Sequence, residues 1–367
     1  MKELKLALLA GVFALAFGAV ASADDYVDMA TKMAKQATAR VDKWDGPTTG
    51  PKAAPGKRIV YVAGDLKNGG ILGASEGLKE AAKAIGWTVT VIDGQGTVSG
   101  RTSAMDQALT LKPDGIVAGG FDTNEQKVAF DAAAKSGAAV VGWHSGTRPG
   151  PEPEAGVFAN VTTNPEDVSK IAAYQAIAES HGTAGVIVFT DSQYQIALFK
   201  GRAMEAAIKK CGGCKVLEFV DSPLAETSQR MPQLTTTLLQ KYGAKWTHSL
   251  AINDLYFDFM GPSLAAAGIK GSAYPHNISG GDGSESAFQR IRARQYQDGT
   301  VPEPLNMQGW QLVDELNRAF NKQPWSGYIS KIHLVTADNV AFDGGDKNVF
   351  DPGNGYRDEY KKIWGVK

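Results

Sequence analysis

The chain has 367 residues, of which 43% are hydrophobic and 21% are charged, the balance of a globular protein with a substantial core. Its formal net charge is −1 and no basic run exceeds two residues, which excludes an extended nucleic-acid surface because phosphate binding needs a concentrated positive patch. The length is too great for one ordinary core and suits two lobes.

The N-terminus has the pattern of a secretory signal peptide. Lys2 and Lys5 precede an apolar run over 6–20, and the small residues at 21–23 offer a cleavage site. The alternative is a membrane anchor, but the apolar run is short for a membrane span. We therefore expect cleavage after Ala23 and export of a soluble protein.

The segment that follows the signal peptide is irregular. The spacing of Tyr26, Met29 and Met33 predicts a short amphipathic helix within 24–40. The Pro- and Gly-rich stretch 44–57 has no hydrophobic period and predicts a linker.

From residue 58 onward, apolar runs alternate with helical patterns in two successive series. The first series has predicted strands at 58–65, 88–93, 115–121 and 138–143, and predicted helices at 71–85, 102–112 and 124–136. The second has strands at 157–164, 185–191, 215–221, 248–252 and 277–282, and helices at 165–180, 195–210, 227–242, 255–267, 284–296 and 308–321. Apolar strands that alternate with helices predict parallel sheets covered on both faces. The predicted fold class is therefore α/β, with two doubly wound lobes.

The only two cysteines, Cys211 and Cys214, form a CxxC pair. No second Cys/His cluster supplies further zinc ligands, and the pair follows a helical pattern, whereas a redox pair usually begins a helix. In an oxidising compartment we interpret the pair as a local structural disulfide.

Polar side chains follow six of the predicted strands. Ligands of open α/β sheets bind beyond the carboxyl ends of the strands. The candidates are Asn68, Asp122, His144, Gln193, Tyr194, Asn253, Asp254 and Asp282, with Phe121 and Trp143 beside them. Each alone is better explained as a cap or turn residue, but six strands that end in this way predict a site. Amides, carboxylates and aromatic rings with few basic residues suit a neutral polyhydroxylated ligand.

A dinucleotide-binding loop is the main enzymatic alternative. The stretch 92–100 follows a predicted strand, but its glycines are spaced GxGxxxG, one residue longer than the fingerprint. Ser145 is adjacent to His144, but sequence neighbours do not make a nucleophile–base pair. The acidic tail lacks EF-hand spacing, so calcium remains a weaker alternative. We expect no catalytic residues, no cofactor and no metal.

The order of these elements resembles the ribose-binding type of periplasmic binding protein, the solute receptors of bacterial ABC sugar importers. The resemblance covers roughly 57–340 and is carried by "DLKNGG" at 65–70, "IND" at 252–254 and "GGDGSESA" at 280–287. It implies a type I periplasmic binding protein, with two Rossmann-like lobes joined by a three-strand hinge and a sugar clamped between them. It also implies a monomer in the periplasm that delivers its ligand to an inner-membrane ABC permease.

The resemblance carries over to individual positions. Asn68, Asn253 and Asp282 match residues that contact the sugar in this family. His144 lies where the family often has Asp, and Glu303 lies near a crossover position usually held by Gln.

Two departures bear on the ligand. The family's arginine aligns near Leu198, and its stacking phenylalanines align near Gly70 and Ile71. These differences predict a ligand other than ribose, a small neutral sugar or polyol. The alternative function is a receptor of the same fold that presents its ligand to a chemotaxis or two-component sensor.

The predicted domain organisation has five parts. They are the signal peptide at 1–23, an N-terminal extension and linker at 24–56, lobe 1 at 57–160 plus 304–327, lobe 2 at 161–303 plus 328–345, and a C-terminal tail at 346–367. The tail is expected to pack through Phe350, Tyr356 and Trp364.

Overall fold

The computed structural model describes residues 23–367, so the predicted signal peptide lies outside the described residues except for Ala23. Within this range, no helix is both long and apolar enough to cross a bilayer.

The first half of the structure begins with a helix and continues with a sheet. The elements are α1 (Ala23–Ala37), β1 (Arg58–Ala63), α2 (Gly69–Ala84), β2 (Thr88–Asp93), α3 (Val98–Thr110), β3 (Gly115–Gly119), α4 (Lys127–Ser136), β4 (Ala139–Trp143), β5 (Gly150–Glu152) and β6 (Val157–Val161).

The second half repeats the alternation. Its elements are α5 (Pro165–Glu179), β7 (Gly185–Thr190), α6 (Gln195–Lys210), β8 (Lys215–Asp221), α7 (Thr227–Tyr242), β9 (His248–Ala251), α8 (Leu255–Asp258), α9 (Gly261–Ala266), β10 (His276–Ser279), α10 (Glu285–Ala293), β11 (Gly299–Thr300), α11 (Leu305–Phe320), β12 (Val335–Thr336), α12 (Val340–Asp343) and α13 (Tyr356–Trp364).

The strands form two six-stranded sheets, which we call lobe 1 and lobe 2. The strand order is β2-β1-β3-β4-β6-β5 in lobe 1 and β12-β11-β10-β9-β7-β8 in lobe 2. All neighbouring strands are parallel except β5 on β6 and β12 on β11. The parallel part of each sheet has the doubly wound order 2-1-3-4-5, which confirms the predicted fold class.

Strand β1 shows why the parallel strands are continuous apolar runs. Ile59 and Tyr61 face one core cluster, and Val60 and Val62 face another on the opposite side of the sheet. A strand covered by helices on both faces has no polar side. The lobe 1 sheet is therefore buried between α2 and α11 on one face and α3 and α4 on the other.

Three segments connect the lobes, and we call them the crossing segments. The first (161–165) joins β6 to α5, the second (300–305) joins β11 to α11, and the third (320–335) joins α11 to β12. Helix α11 packs on α2, so the chain returns to lobe 1 after completing most of lobe 2.

Residues 23–54, the N-terminal strap, contact both lobes. Helix α1 packs on α5 of lobe 2, where the ring centroids of Tyr26 and Tyr174 lie 6.1 Å apart. Farther along the strap, Trp44 packs against Tyr328, at a centroid distance of 5.2 Å. The Ala54 amide donates to Asn317 of α11 at 2.9 Å.

The C-terminal tail packs as expected through three aromatic side chains. Phe350 stacks on His333 of the third crossing segment, with centroids 4.5 Å apart. Tyr356 and Trp364 of α13 pack on Trp310 of α11 in lobe 1. All three of these tail side chains are buried.

Several helix boundaries differ from the sequence prediction. Helix α2 begins at Gly69 because Asn68 caps it, and α3 begins at Val98 because Thr97 caps it. The predicted helix 255–267 is two helices, α8 and α9, and Pro262 lies in the first turn of α9, where its missing N–H costs nothing.

Cys211 and Cys214 are joined by a disulfide at the end of α6. Helix α6 has 16 residues, so the disulfide lies about 22 Å from the start of the helix. The pair closes the turn that leads into β8, as the sequence interpretation proposed.

We predict that the double variant Cys211→Ser/Cys214→Ser is less stable by about 2 kcal/mol, because a loop this short removes little entropy from the unfolded chain. Thermal unfolding with and without reductant should show this difference for the native protein and none for the variant. Alkylation of both thiols in native, unreduced protein would contradict the disulfide.

Candidate functional site

A cavity lies between the lobes, where the carboxyl ends of the strands of both sheets meet. Its volume is about 60 Å³. Polar side chains of both lobes line it: Asp65, Asn68 and His144 from lobe 1, and Tyr194, Lys200, Asn253 and Asp282 from lobe 2.

Asn68 and Asn253 make the same kind of local hydrogen bond in the two lobes. Each side-chain oxygen accepts from a backbone N–H at a helix start, Gly70 at 2.9 Å for Asn68 and Leu255 at 3.0 Å for Asn253. Both residues also line the cavity. The cap explanation and the ligand prediction are therefore compatible, because capping uses the amide oxygen.

Asp282 lies at the tip of the loop that follows β10 and approaches lobe 1 closely. Its Oδ2 accepts from Nδ2 of Asn253 at 2.8 Å. A Cβ added to Gly70 would lie 2.4 Å from Asp282, so a side chain at position 70 would clash with this loop. The absence of a side chain at Gly70 therefore lets the two lobes meet at Asp282.

Asp254 stabilises the Asp282 loop from the side that faces away from the cavity. It is 1% exposed and does not line the cavity. Its Oδ2 accepts from the N–H groups of Gly283 at 2.8 Å and Ser284 at 3.2 Å, and its Oδ1 accepts from Nε2 of Gln297 at 2.7 Å and from the Ser279 hydroxyl. Asp254 makes no side-chain cap to α8, so its contacts position the loop.

His144 adopts a backbone conformation that is uncommon for a residue with a side chain, at φ 54°. Its ring stacks on Trp143 at a centroid distance of 3.9 Å. Nδ1 lies 3.9 Å from Oδ1 of Asp282, and Nε2 lies 3.4 Å from Oε1 of Glu303. Nε2 makes no hydrogen bond within residues 23–367, and it faces the Glu303 carboxylate rather than the cavity.

Glu303 lies behind His144, away from the cavity lining. Its carboxylate accepts from the Thr163 hydroxyl at 2.5 Å and from Nε2 of Gln308 at 2.5 Å. Burial raises the pKa of this carboxyl, but contacts with His144 and Thr163 outweigh burial and bring the pKa to about 2. Glu303 is therefore an anion fixed beside His144.

Lys200 lines the cavity but was not among the sequence candidates. It is 4% exposed, and its Nζ donates to the Ile252 carbonyl at 3.1 Å. Burial raises the pKa of the Asp282 carboxyl, and the charges of Lys200 and His144 oppose that shift. The sequence signal was a lysine on the apolar face of α6, between buried Ala197 and Met204.

The other sequence candidates divide between the cavity and its surroundings. Trp143 and Tyr194 line the cavity. Asp122 is buried outside it, where its Oδ2 accepts from the Gln195 amide at 2.7 Å. Gln193 is exposed and also lies outside the lining.

Two carboxylates of the acidic stretch near the C-terminus face basic side chains. Asp343 lies 2.9 Å from His333, and Asp351 lies 2.8 Å from Arg357. Across residues 23–367 there is no group of three or more side chains placed to hold a metal ion, and the calcium alternative gains no support from the structure.

Comparisons with known proteins agree with this geometry. The model of the periplasmic binding protein domain matches residues 59–324. The chain is similar to an ABC transporter solute-binding protein from Agrobacterium vitis with bound allitol, at 18% identity and TM-score 0.66, covering 78% of this chain and 97% of that one. No curated protein matches the sequence significantly.

Two further solved structures are similar over most of the chain. A second Agrobacterium vitis solute-binding protein, bound with alpha-D-tagatopyranose, has 14% identity and TM-score 0.70 and covers 80% of this chain and 99% of that one. A periplasmic ribose ABC transporter protein from Conexibacter woesei has 16% identity and TM-score 0.66, and the match covers 82% of this chain and 100% of that one. At these identities the likeness supports the fold.

We predict that Asp254→Ala destabilises the protein by about 3–5 kcal/mol, because four donors, three of them buried, lose an acceptor. A simple cap would cost only about 0.5–2 kcal/mol. The matched control is Asp106→Ala, an exposed carboxylate on α3, with a change within about 0.5 kcal/mol. Denaturant unfolding of both variants would disprove the positioning role of Asp254 if the two losses were equal.

Proposed function

The chain belongs to the family of periplasmic binding protein domains, and we propose that it captures a small neutral sugar or polyol between its lobes and delivers it to an ABC permease. The observation that carries the proposal is that each lobe supplies part of one cavity lining. Asn68 and His144 come from lobe 1, and Asn253 and Asp282 come from lobe 2. A ligand that contacts both sets stabilises the closed form, because it can shift the equilibrium only through contacts that differ between states.

The chemistry of the lining favours hydroxyl groups. Asp282 accepts hydrogen bonds, amides such as Asn253 both accept and donate, and Lys200 donates. The carboxylates of Asp282 and Asp65 outnumber the single lysine of the lining, which disfavours an anionic ligand. A polyhydroxylated neutral molecule satisfies these groups without bringing a charge into the closed cavity.

The volume of the cavity limits the size of the ligand. A cavity of about 60 Å³ between the lobes suits one small molecule and not an oligosaccharide. Allitol and tagatopyranose, the molecules bound to two of the similar proteins, are of this size class. We therefore propose a single monosaccharide or sugar alcohol as the ligand.

We also propose that the chain is exported, cleaved after Ala23 and active as a monomer in the periplasm without catalysis. Ser145, the nearest candidate nucleophile, donates to Glu152 at 3.2 Å and is fully buried. It does not line the cavity, which supports binding without chemistry.

A thermal-shift screen over monosaccharides and polyols, including allitol, tagatose and ribose, tests the proposal. A ligand that binds only the folded protein raises its stability by RT ln(1 + [L]/Kd), about 2.7 kcal/mol at a hundredfold excess over Kd. We expect a concentration-dependent rise with at least one neutral sugar or polyol. No shift with any neutral member, together with a shift for a sugar acid, would contradict the proposed ligand class.

We predict that Asn253→Ala and Asp282→Asn each weaken binding of the compound found in that screen by roughly tenfold or more. Each change leaves a ligand hydroxyl without its partner, at about 1–3 kcal/mol per lost bond. Isothermal titration measures the loss, and Asp106→Ala serves as the control with unchanged affinity. Unchanged affinity in both site variants would show that the ligand binds elsewhere.

A further inference from the structure

Four residues join the lobes at one edge of the cavity, and we call them the interlobe latch. Arg101 and Asp122 belong to lobe 1, and Tyr194 and Gln195 belong to lobe 2. Nη1 of Arg101 donates to the Tyr194 hydroxyl at 3.0 Å, and the backbone N–H of Gln195 donates to Oδ2 of Asp122 at 2.7 Å. Tyr194 lines the cavity, whereas Arg101, Asp122 and Gln195 do not, so the bond between Gln195 and Asp122 joins the lobes away from the lining.

The latch removes the Asp122 carboxyl group from water. Asp122 is 2% exposed, and its Oδ1 has no hydrogen-bond partner within residues 23–367. A buried carboxylate oxygen without a donor is costly as an anion, whereas the neutral acid is far less so. Among residues 23–367, the only hydrogen bond from lobe 2 to this carboxyl comes from the backbone N–H of Gln195 at the start of α6.

The charged groups around Asp122 come from four parts of the structure. Glu125 lies on its own loop, Glu152 is contributed by β5, and Arg101 is contributed by α3. Across the lobe boundary, burial raises the pKa of the Asp191 carboxyl, and the Arg101 charge opposes that rise. Glu125 forms an ion pair with Arg101. The negative charge of Glu125 therefore offsets part of the lowering of the Asp122 pKa by the Arg101 guanidinium.

These surroundings favour the protonated acid in the closed form. Burial raises the pKa of the Asp122 carboxyl to about 7, the Gln195 amide opposes this shift, and the charges of Glu125 and Glu152 add to it. When the lobes separate, the carboxyl meets water and its pKa returns towards about 3.9. The closed form therefore binds a proton more tightly than the open form.

We propose that Asp122 is a positioning residue for lobe closure, and that engagement of the latch takes up one proton from solvent at this carboxyl group. Closure is then favoured as the pH falls through neutrality. The stabilisation of the closed form by protonation is complete only below the pKa that the Asp122 carboxyl has in the open form. Between about pH 8 and pH 5, the ratio of closed to open molecules rises by roughly tenfold to a hundredfold. The inference rests on the proposed function only in that ligand capture uses the same closure.

The test needs no ligand, so it is independent of the ligand proposal. Small-angle scattering of the full chain from about pH 8 to pH 5 should show a falling radius of gyration. Asp122→Asn keeps the shape and an acceptor for Gln195 but cannot ionise, so its radius should be small and constant. The matched control Asp106→Asn changes an exposed carboxyl on α3 and should keep the native slope.

Two further measurements separate titration from folding. Arg101→Met breaks the other half of the latch, so its radius should be larger at every pH while the slope remains. Carbon-13 NMR of labelled aspartates should show one carboxyl that titrates far above the ordinary range and is missing in Asp122→Asn. A constant native radius, a slope retained in Asp122→Asn, or the absence of that resonance would overturn the proposal.

Discussion

The junction between the lobes is organised around a carboxylate that is buried where the crossing segments meet. Glu303, on the second crossing segment, is 2% exposed. A buried anion costs several kcal/mol unless it is fully paired, and the partners of Glu303 come from different parts of the chain. Thr163 belongs to the first crossing segment, Gln308 to α11, and His144 to the end of β4. The geometry of the hinge and the charge of Glu303 therefore stabilise each other.

The same network orients the wall of the cavity. Gln308 donates to Glu303 and accepts from Nε1 of Trp143 at 2.7 Å. Trp143 in turn stacks on His144, whose left-handed backbone would otherwise be unfavourable. A change in the crossing segments is thus transmitted to the cavity through groups that cannot move independently.

The fold was predictable because buried parallel strands and amphipathic helices each leave a hydrophobic pattern. The short elements were not, since two-residue strands such as β11 and β12 have no period to detect. At the site, strand ends indicated Asn68, Asn253 and Asp282, which all line the cavity. An analysis of strand ends could not identify Lys200, because this residue lies on helix α6. Asp254 belonged to the same polar run as Asn253, and only the tertiary structure shows that it faces the opposite way, into the Asp282 loop.

The ends of the described chain are anchored to different lobes. Helix α1 packs on α5 of lobe 2, whereas α13 packs on α11 of lobe 1. Both helices are held by aromatic contacts, so we expect each to move as part of its own lobe. Any change in the angle between the lobes must change the separation of these helices. A donor and an acceptor fluorophore attached to α1 and α13 would convert that separation into an energy-transfer signal, which makes the protein a natural scaffold for an optical sensor.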